Sequence, residues 1–254
     1  MKVAVAGGTG VVGRHIVEAC RQAGHDVKTL SRRTGVDLTT GAGLDSALEG
    51  TEVIVDASNS RSQSKAKSTA FFTTATGNLQ RSGQAAGVRR LLTISIVNID
   101  RFRGTGYYQA KLAQEAAALA GPIPASILRA TQFHEFPIQI MNQFRLGKLA
   151  LVPRMRVQTV AARAVGETAA ELIARPPDGT RVEVAGPDVR DLVDLARAAA
   201  SRLGHGTRVF GVPVPGRLGR DIRAGALLAS GDVRIVGPTF EDWLAGEDAL
   251  AVGQ

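Results

Sequence analysis

A glycine-rich turn near the N-terminus restricts the folds available to this chain more than any other feature. Residues 7–13 have the sequence GGTGVVG and contain two overlapping spacings, GxGxxG from Gly8 and GxxGxxG from Gly7. The turn directly follows a short apolar run, Val3 to Ala6, and precedes apolar residues at helical spacing, Arg14 to Ala23. A buried strand, a glycine turn and an amphipathic helix in this order predict the first βα unit of an open parallel sheet.

The glycines have a chemical reason at these positions. Only a backbone without Cβ atoms turns this tightly and approaches a pyrophosphate closely, and the third glycine lets the helix pack against the strand. The helix N-terminus then presents free N–H groups and partial positive charge to the phosphates. The turn therefore predicts dinucleotide binding, with a plain tight βα turn as the alternative. The predicted contacts are Gly7, Gly8, Thr9, Gly10, Val11, Val12 and Gly13.

Strand and helix patterns alternate over the first 130 residues. Apolar runs predict strands at Val27–Leu30, Glu52–Ala57, Arg90–Ile96 and Ala125–Arg129, and helical spacing predicts helices at Ala70–Ala86 and Lys111–Ala120. This alternation predicts an α/β fold, a doubly wound parallel Rossmann sheet with a small C-terminal substrate-binding extension. We expect residues 1–132 to form the nucleotide-binding core. Residues 133–254 are expected to complete the sheet edge and form the substrate pocket within a single integrated unit.

The residues after the second predicted strand indicate which dinucleotide is bound. In an NAD-binding unit, an acidic residue about 20 positions beyond the glycines holds the ribose hydroxyls. Here the strand is followed by arginines, and the nearest acid, Asp26, stands at its beginning. Two guanidinium groups suit the 2′-phosphate of NADP(H), so the sequence favours NADP(H) over NAD(H), with solvated surface charges as the alternative. The predicted contacts are Ser31, Arg32 and Arg33, together with Asp37 and Leu38 in a loop expected to reach the adenine.

The segment YYQAK places Tyr107 and Lys111 one turn apart on the same face of a predicted helix. A nearby ammonium group lowers the pKa of a tyrosine, so the pair can exchange a proton with a carbonyl or alcohol oxygen. Ser95 ends the preceding strand, 12 residues before Tyr107, where its hydroxyl would orient the same oxygen. These residues form a candidate catalytic site. The alternatives are an ordinary surface pair and Tyr108 as the inward-facing ring.

Composition disfavours several other classes of function. The net charge is +8, but the 25 Arg and 6 Lys are dispersed and aromatic residues make up only 4%, so nucleic-acid binding is not expected. Cys20 is the only cysteine and the four histidines lack metal-ligand spacing, so neither a disulfide nor a structural metal is expected. The sequence has no apolar run of membrane-span length and no signal-peptide pattern, which leads us to expect a cytoplasmic location.

Several segments together carry a resemblance to a known family: VAVAGGTGVVGRHIV, the arginine pair, EVIVDAS, GNLQRSGQAAGVRRLLTIS, YYQAK and ILRATQF. With these segments the sequence resembles an atypical short-chain dehydrogenase/reductase. The most similar subgroup is the NmrA-like NAD(P)-binding proteins. The resemblance covers essentially the whole chain and is most specific over residues 1–136. The late stretch PGRLGRDIRAGALLASGDVRIVGPTFEDWLA is similar to the C-terminal portion of bacterial members.

The resemblance implies a Rossmann fold that binds NADP(H) and transfers hydride with Tyr107, Lys111 and Ser95. It gives Lys111 a second role, a bond to the nicotinamide ribose. The asparagine that many relatives add to the catalytic trio has no counterpart here, because Asn78 stands in the wrong register. Further cofactor contacts that the resemblance implies are Ala57, Ser58, Ala130, Thr131 and Gln132.

The substrate is expected beside the nicotinamide and the C-terminal extension. Aromatic and apolar residues there suggest a small or medium hydrophobic carbonyl compound. The predicted pocket residues are Phe133, His134, Phe136 and Gln158. An apolar stripe of this kind is also typical of a core, and a hydrogen-bonded structural role is the alternative for His134.

The retained Tyr-Lys pair favours an NADPH-dependent oxidoreductase acting on a small molecule. Two alternatives stay open. One is a non-catalytic NADP(H)-binding redox sensor of the NmrA-like type, which would act on a protein partner by population shift. The other is an epimerase or dehydratase that uses the same sheet and cofactor. A homodimer also stays open, with Phe71 and Phe72 either as its contact or as core.

Overall fold

The computed structural model describes residues 1–60, 62, 64–100, 106–175, 181–204 and 206–250. Contacts divide the chain into two compact units, Met1–Arg129 with Ala162–Glu183, and Ala130–Ala161 with Val184–Gln254. The predicted boundary after residue 132 lies close to Arg129, where the chain first passes from one unit to the other. Residues 162–183 belong to the first unit again. Among the described residues, no helix combines the length and the apolar character that a membrane span requires.

Strands and helices alternate through the first unit, and shorter elements follow. The strands are β1 Lys2–Ala6, β2 Asp26–Leu30, β3 Val53–Asp56, β4 Arg90–Ile96, β5 Ala125–Ala130, β6 Arg145–Leu146, β7 Leu149–Pro153, β8 Arg156–Val157, β9 Arg181–Ala185, β10 Arg190–Asp191, β11 Arg208–Val212 and β12 Arg234–Ile235. The helices are α1 Val11–Gln22, α2 Leu44–Leu48, α3 Lys65–Ala85, α4 Gly106–Ala120, α5 Phe136–Gln143, α6 Ala162–Ala174, α7 Leu192–Arg202, α8 Gly216–Arg223, α9 Phe240–Ala245 and α10 Glu247–Leu250.

In the described part of the chain, seven parallel strands form the main sheet, in the order β12-β9-β5-β4-β3-β1-β2. Strand β1 lies between β2 and β3, with Val3 opposite Val27 on one side and Val53 on the other. The strand order therefore reverses between β1 and β3. This is the doubly wound Rossmann-like sheet that the sequence predicts, and such sheets bind ligands beyond the carboxyl ends of the strands at the point of reversal.

The first unit owes its close packing to buried apolar strands and to glycines in its helices. All four residues of β3 are buried, as expected of a parallel strand covered on both faces. A Cβ at Gly166 in α6 would lie 2.7 Å from the backbone of His15 in α1. A Cβ at Gly83 in α3 would lie 2.7 Å from the Ile123 side chain. Helix α6 therefore packs on α1 and belongs to the first unit, although it follows residue 161 in the chain.

The second unit contains small sheets of its own, β11-β7-β6 and β10-β8. In β7, Ala150 and Val152 are buried whereas Leu149 and Leu151 are exposed. All four residues are apolar, so the sequence shows none of the alternation that predicts a half-buried strand. Local pattern therefore does not predict β7, which the structure places after α5 and β6.

Candidate functional site

The glycine loop follows β1 directly, at the point where the sheet order reverses. Gly7 has a φ of +72°, and a Cβ there would lie 2.5 Å from the carbonyl oxygen of Ala57. A Cβ on Gly13 would lie 2.1 Å from the carbonyl oxygen of Gly7, much closer than any side chain tolerates. A Cβ on Gly8 would lie 2.9 Å from the Thr29 side chain. Close approach of the loop to α1, β2 and the end of β3 therefore requires these glycines.

The N-terminus of α1 is open to an anion. Gly10 caps the helix in an extended conformation without a side-chain hydrogen bond, and the first turn carries no acidic residue. Thr9 and Gly10 are exposed, whereas Val12 and Gly13 are buried. Amide groups at such a helix N-terminus favour phosphate oxygens. The loop therefore fits the pyrophosphate of a dinucleotide, both in backbone space and in charge.

Arg32 and Arg33 lie in a short 3-10 turn, Arg32–Thr34, immediately after β2. The turn is held by the Ser31 backbone N–H, which donates to Thr34 Oγ1 at 3.0 Å. Both arginines are exposed. Arg32 lies close enough to the Asp37 carboxyl group to help lower its pKa, and within the described ranges neither guanidinium group makes a hydrogen bond.

Internal hydrogen bonds hold the loop that carries Asp37 and Leu38. Asp37 Oδ1 accepts from the hydroxyl of Thr39 at 2.6 Å and from its backbone N–H at 2.8 Å, and these bonds lower the pKa of the Asp37 carboxyl group. The carbonyl oxygen of Leu38 accepts from Asn78 Nδ2 at 2.8 Å. Asn78 therefore ties this loop to α3, which is a structural reason for its presence.

The segment after β3 connects the glycine loop with Tyr107. Ala57 and Ser58 crowd the first glycine, and Asn59 Oδ1 accepts from the Tyr107 hydroxyl at 2.7 Å. Asp56 is fully buried, and its Oδ1 accepts from the Ser58 backbone N–H at 3.0 Å. The sequence pointed to Ala57 and Ser58 but missed Asp56 and Asn59. Ligands of such sheets bind beyond the carboxyl ends of the strands, so a search for polar residues at the end of each buried strand would have found both.

The predicted direction of the Tyr107 pKa shift is wrong. The sequence led us to expect a lower pKa beside Lys111, whereas burial raises the pKa of Tyr107 to about 12. The Tyr107 ring packs edge-on against Phe72 with the centroids 5.9 Å apart. Desolvation disfavours the phenolate, so Tyr107 is protonated at neutral pH and is a weaker acid than a free tyrosine. Phe72 is itself fully buried and is therefore core.

Lys111 is buried on the inner side of α4. Its Nζ donates to the carbonyl oxygen of Ile94 at 2.7 Å and to Gln114 Oε1 at 2.5 Å. The same atom lies 4.8 Å from the centroid of the Phe72 ring. Burial lowers the pKa of Lys111 to about 8, against the opposing effect of nearby carboxylates. The structure thus brings Lys111 to strand β4 beside Ser95, and gives its ammonium group partners other than the Tyr107 hydroxyl.

Several predicted site residues are among those whose buried polar atoms lack a hydrogen-bond partner. Within the described residues, Ser58 Oγ and Ser95 Oγ in the first unit are buried and lack a hydrogen-bond partner. In the second unit the same holds for Thr131 Oγ1 and for the side-chain amide of Gln132. Buried polar groups without partners are costly, so a polar ligand at these atoms is favourable. All four residues were singled out by the sequence, and their contacts stay predictions.

His134 lies at the centre of an aromatic cluster in the second unit. Its Nε2 is 3.2 Å from the carbonyl oxygen of Pro238, and its Nδ1 is 2.8 Å from Thr159 Oγ1. A carbonyl oxygen only accepts, so Nε2 carries the proton and Nδ1 accepts from the Thr159 hydroxyl. The centroids of the Phe240 and Trp243 rings lie 5.5 and 5.3 Å from that of the imidazole. These contacts give His134 a structural role.

We expect the second unit to lose stability in mild acid because of His134. Burial lowers its pKa to about 4 from the ordinary 6.5, so the unfolded chain takes up the proton first as the pH falls. The free energy of unfolding is therefore highest above pH 6.5 and falls by about 3 kcal/mol in total as the pH is lowered to 4. Urea unfolding followed by Trp243 fluorescence measures it. A His134→Phe variant should show a flatter profile, and equal slopes in both proteins would contradict this assignment.

The other predicted pocket residues also lie in the second unit. Gln158 is buried, with Nε2 donating to the carbonyl oxygen of Gly186 at 2.9 Å and Oε1 accepting from the Ala229 backbone N–H at 3.2 Å. It therefore joins two loops of this unit. Phe133 and Phe136 are half-buried, and Phe136 begins α5. The contact of these residues with a substrate stays a prediction.

Residues 3–97 match the sequence model of the NAD dependent epimerase/dehydratase family. The match takes in the glycine loop, the arginine turn and the segment after β3, and it ends before Tyr107. No match was found among curated protein sequences.

Solved structures share this fold over nearly the whole chain. The UDP-N-acetylglucosamine 4-epimerase from Bacillus cereus is 15% identical and covers 99% of this chain and 96% of its own, with a TM-score of 0.71. A short-chain dehydrogenase/reductase superfamily protein from Agrobacterium tumefaciens, with bound NAD, is 18% identical, and the match covers 99% of this chain and 97% of that one, with a TM-score of 0.67. The Citrobacter sp. triphenylmethane reductase, complexed with NADP(H), is 15% identical, and the match covers 95% of this chain and 98% of that one, with a TM-score of 0.68. These similarities establish the fold, and the NmrA-like subgroup stays a prediction.

Proposed function

We propose that this protein is an NADP(H)-dependent oxidoreductase that reduces a small or medium hydrophobic carbonyl or conjugated compound. One observation carries the proposal, the three-residue segment after β3. Its first residue, Ala57, packs against the glycine loop, and its last, Asn59, holds the hydroxyl of Tyr107. A predicted phosphate loop and a predicted proton donor are thus anchored on the same short segment.

In this proposal, the first unit holds the phosphates and the adenine of the cofactor. The glycine loop and the N-terminus of α1 would hold the pyrophosphate, and Arg32 and Arg33 would hold a 2′-phosphate. Leu38 and the loop of Asp37 would lie beside the adenine, and Ser58 Oγ would gain a partner. When bound, the nicotinamide supplies the hydride.

The proposed catalytic role of each residue is based on its protonation state and its surroundings. Tyr107 keeps its proton over the whole neutral range, because burial raises its pKa to about 12. It carries the proton that a carbonyl oxygen gaining negative charge would take up, although burial makes it a weaker acid than a free tyrosine. Ser95 Oγ would orient that oxygen. Burial lowers the pKa of Lys111 to about 8, so neutral pH lies close to that pKa. Lys111 would balance charge in the site and bind the nicotinamide ribose.

The comparisons support a nicotinamide-dependent enzyme. The family whose model matches residues 3–97 is described as NAD dependent. Two structures with the same fold contain NAD or NADP(H), and one of them is a reductase. The preference for NADP(H) rests on Arg32 and Arg33 of this chain.

Replacing Arg32 and Arg33 together by alanine is expected to remove the preference for NADPH. Each charge-assisted contact contributes about 1.5–3 kcal/mol, so NADPH affinity should fall at least about 10-fold while NADH affinity stays within about 3-fold. Fluorescence or calorimetric titration with both nucleotides measures this. Arg202→Ala/Arg208→Ala removes the same charge from exposed positions elsewhere and serves as the control. If the unmodified protein binds neither nucleotide, the proposal fails.

A redox sensor is the second candidate, because Lys111 binds Gln114 and Ile94 and burial raises the Tyr107 pKa. An epimerase or dehydratase is the third, on account of the family match. Tyr107→Phe separates the sensor from the enzymes. In an enzyme, the variant should keep NADPH affinity and lose turnover by roughly 10²–10⁴-fold, the usual contribution of a positioned proton donor. A sensor would show no turnover to lose and would retain its response to the nucleotide.

A further inference from the structure

A buried chain of hydrogen bonds runs between the end of β3 and the lysine of α4. Asp56 Oδ2 accepts from Gln114 Nε2 at 2.8 Å, and Gln114 Oε1 accepts from Lys111 Nζ at 2.5 Å. Asp56 Oδ2 also accepts from the Thr76 hydroxyl at 2.9 Å. All four side chains are buried, with Asp56, Gln114 and Thr76 at 0% exposure. Apolar side chains of similar volume often replace buried polar or ionic groups without loss of stability, so stability alone does not account for this chain of bonds.

The same aspartate holds the other side of the candidate site. Its second oxygen, Oδ1, accepts from the Ser58 backbone N–H at 3.0 Å, and the next residue, Asn59, accepts from the Tyr107 hydroxyl at 2.7 Å. Tyr107 and Lys111 are therefore connected through Asp56, by way of Asn59 and Ser58 on one side and Gln114 on the other. A carboxylate can do this because its two oxygens accept independently.

We propose that Asp56 is a positioning residue of this site, which holds Lys111 through Gln114 and holds the Tyr107 anchor through the Ser58 amide. The positioning role rests on the proposed function, because it sets where the two groups meet cofactor and substrate. The ammonium group of Lys111 faces Asp56 on β3, Glu115 on α4, the Ile94 carbonyl on β4 and the Phe72 ring on α3. Asp56 is the carboxylate among these that reaches Lys111 through a single hydrogen-bonded side chain.

The first test is the titration of Lys111, which needs no cofactor. The chain has six lysines, so carbon-13 labelling of lysine gives few NMR signals, and the Lys111 signal is the one lost in Lys111→Arg. Asp56→Asn removes a facing negative charge and should lower the Lys111 titration midpoint by about 1 pH unit. Gln114→Leu removes the acceptor of the ammonium group and should shift it in the same direction. Gln114→Leu also keeps the test valid if Asp56→Asn does not fold.

Thr76→Val is the matched control. It removes a buried hydrogen bond to the same Asp56 oxygen and leaves the bonds from Gln114 and Ser58 in place. The Lys111 midpoint should stay at the value of the unmodified protein. An equal shift of the Lys111 midpoint in all three variants would reveal general loosening of the core. An unchanged midpoint in Asp56→Asn and Gln114→Leu would show that Asp56 does not act on Lys111 through Gln114. Either result overturns the proposal.

The second test is NADPH affinity, measured by titration in the same variants. Lys111 is the predicted partner of the nicotinamide ribose, and loss of one hydrogen bond from a charged group weakens binding about 10-fold or more. Asp56→Asn and Gln114→Leu should therefore each weaken binding about 10-fold, and Thr76→Val should not. Unchanged affinity in the first two would overturn the positioning role. Absence of NADPH binding by the unmodified protein would overturn the proposed function instead, and the lysine titration would still decide whether the chain of bonds exists.

Discussion

Gly13→Ala is expected to abolish tight binding of the dinucleotide. The added Cβ would lie 2.1 Å from the carbonyl oxygen of Gly7 and 2.8 Å from its carbonyl carbon, so backbone rather than a flexible side chain has to move. Relief of such overpacking costs about 1–3 kcal/mol and displaces the loop from α1. Because the displaced loop fits the pyrophosphate less well, we expect NADPH affinity to fall roughly 10- to 100-fold.

Gly77→Ala provides the control for Gly13→Ala. Gly77 lies inside α3, and a Cβ there would meet no atom within 4 Å. Alanine at such a helical position stabilises a protein by about 0.4–1 kcal/mol, so this variant should bind NADPH normally and unfold at a slightly higher temperature. Calorimetric titration and thermal unfolding measure both properties. Normal NADPH binding by Gly13→Ala would show that the glycine loop is an ordinary tight turn.

Arg129→Met is expected to cause the largest loss of stability. Arg129 is 2% exposed and binds Glu115 through two hydrogen bonds of 2.8 Å. Its Nη1 also lies 3.2 Å from Asp100 and 3.3 Å from Glu183. Removing the cation leaves Glu115 buried, with Arg181 at 3.6 Å and the ammonium group of Lys111 as the cations that face it in the described part of the chain. Breaking a buried pair in this way costs about 3–5 kcal/mol, which urea denaturation would measure.

The double variant Arg129→Met/Glu115→Leu separates charge from packing. Apolar residues of similar volume often replace a buried ion pair without loss, so the double variant should recover most of the stability. Arg197→Met removes an exposed pair with Asp194 and should cost at most about 1 kcal/mol. If Arg129→Met is as mild as Arg197→Met, then the cluster is solvated and does not hold α4 against β5.

Pairs of residues far apart in the sequence were beyond prediction in the candidate site. Tyr107 and Asn59 are 48 positions apart, and Gln114 and Asp56 are 58 apart. No spacing rule connects them, because the pairs exist only once α4 has packed beside β3 and β4. The Tyr107 pKa illustrates the consequence. Helical spacing correctly put Tyr107 and Lys111 on one helix, yet the direction of the shift depended on burial and on the partners that Lys111 found elsewhere.

The sequence by itself determined the features that depend on neighbouring residues. The glycine loop, the buried strands of the first 130 residues and the arginines after β2 follow from local periodicity and from backbone sterics, and the doubly wound sheet follows from their alternation. Only the tertiary structure decided that residues 162–183 join the first unit and that the uniformly apolar β7 is a half-exposed strand. It also decided that Asp56 connects the two sides of the site. Burial and hydrogen bonding between distant segments set these features, and no local pattern encodes them.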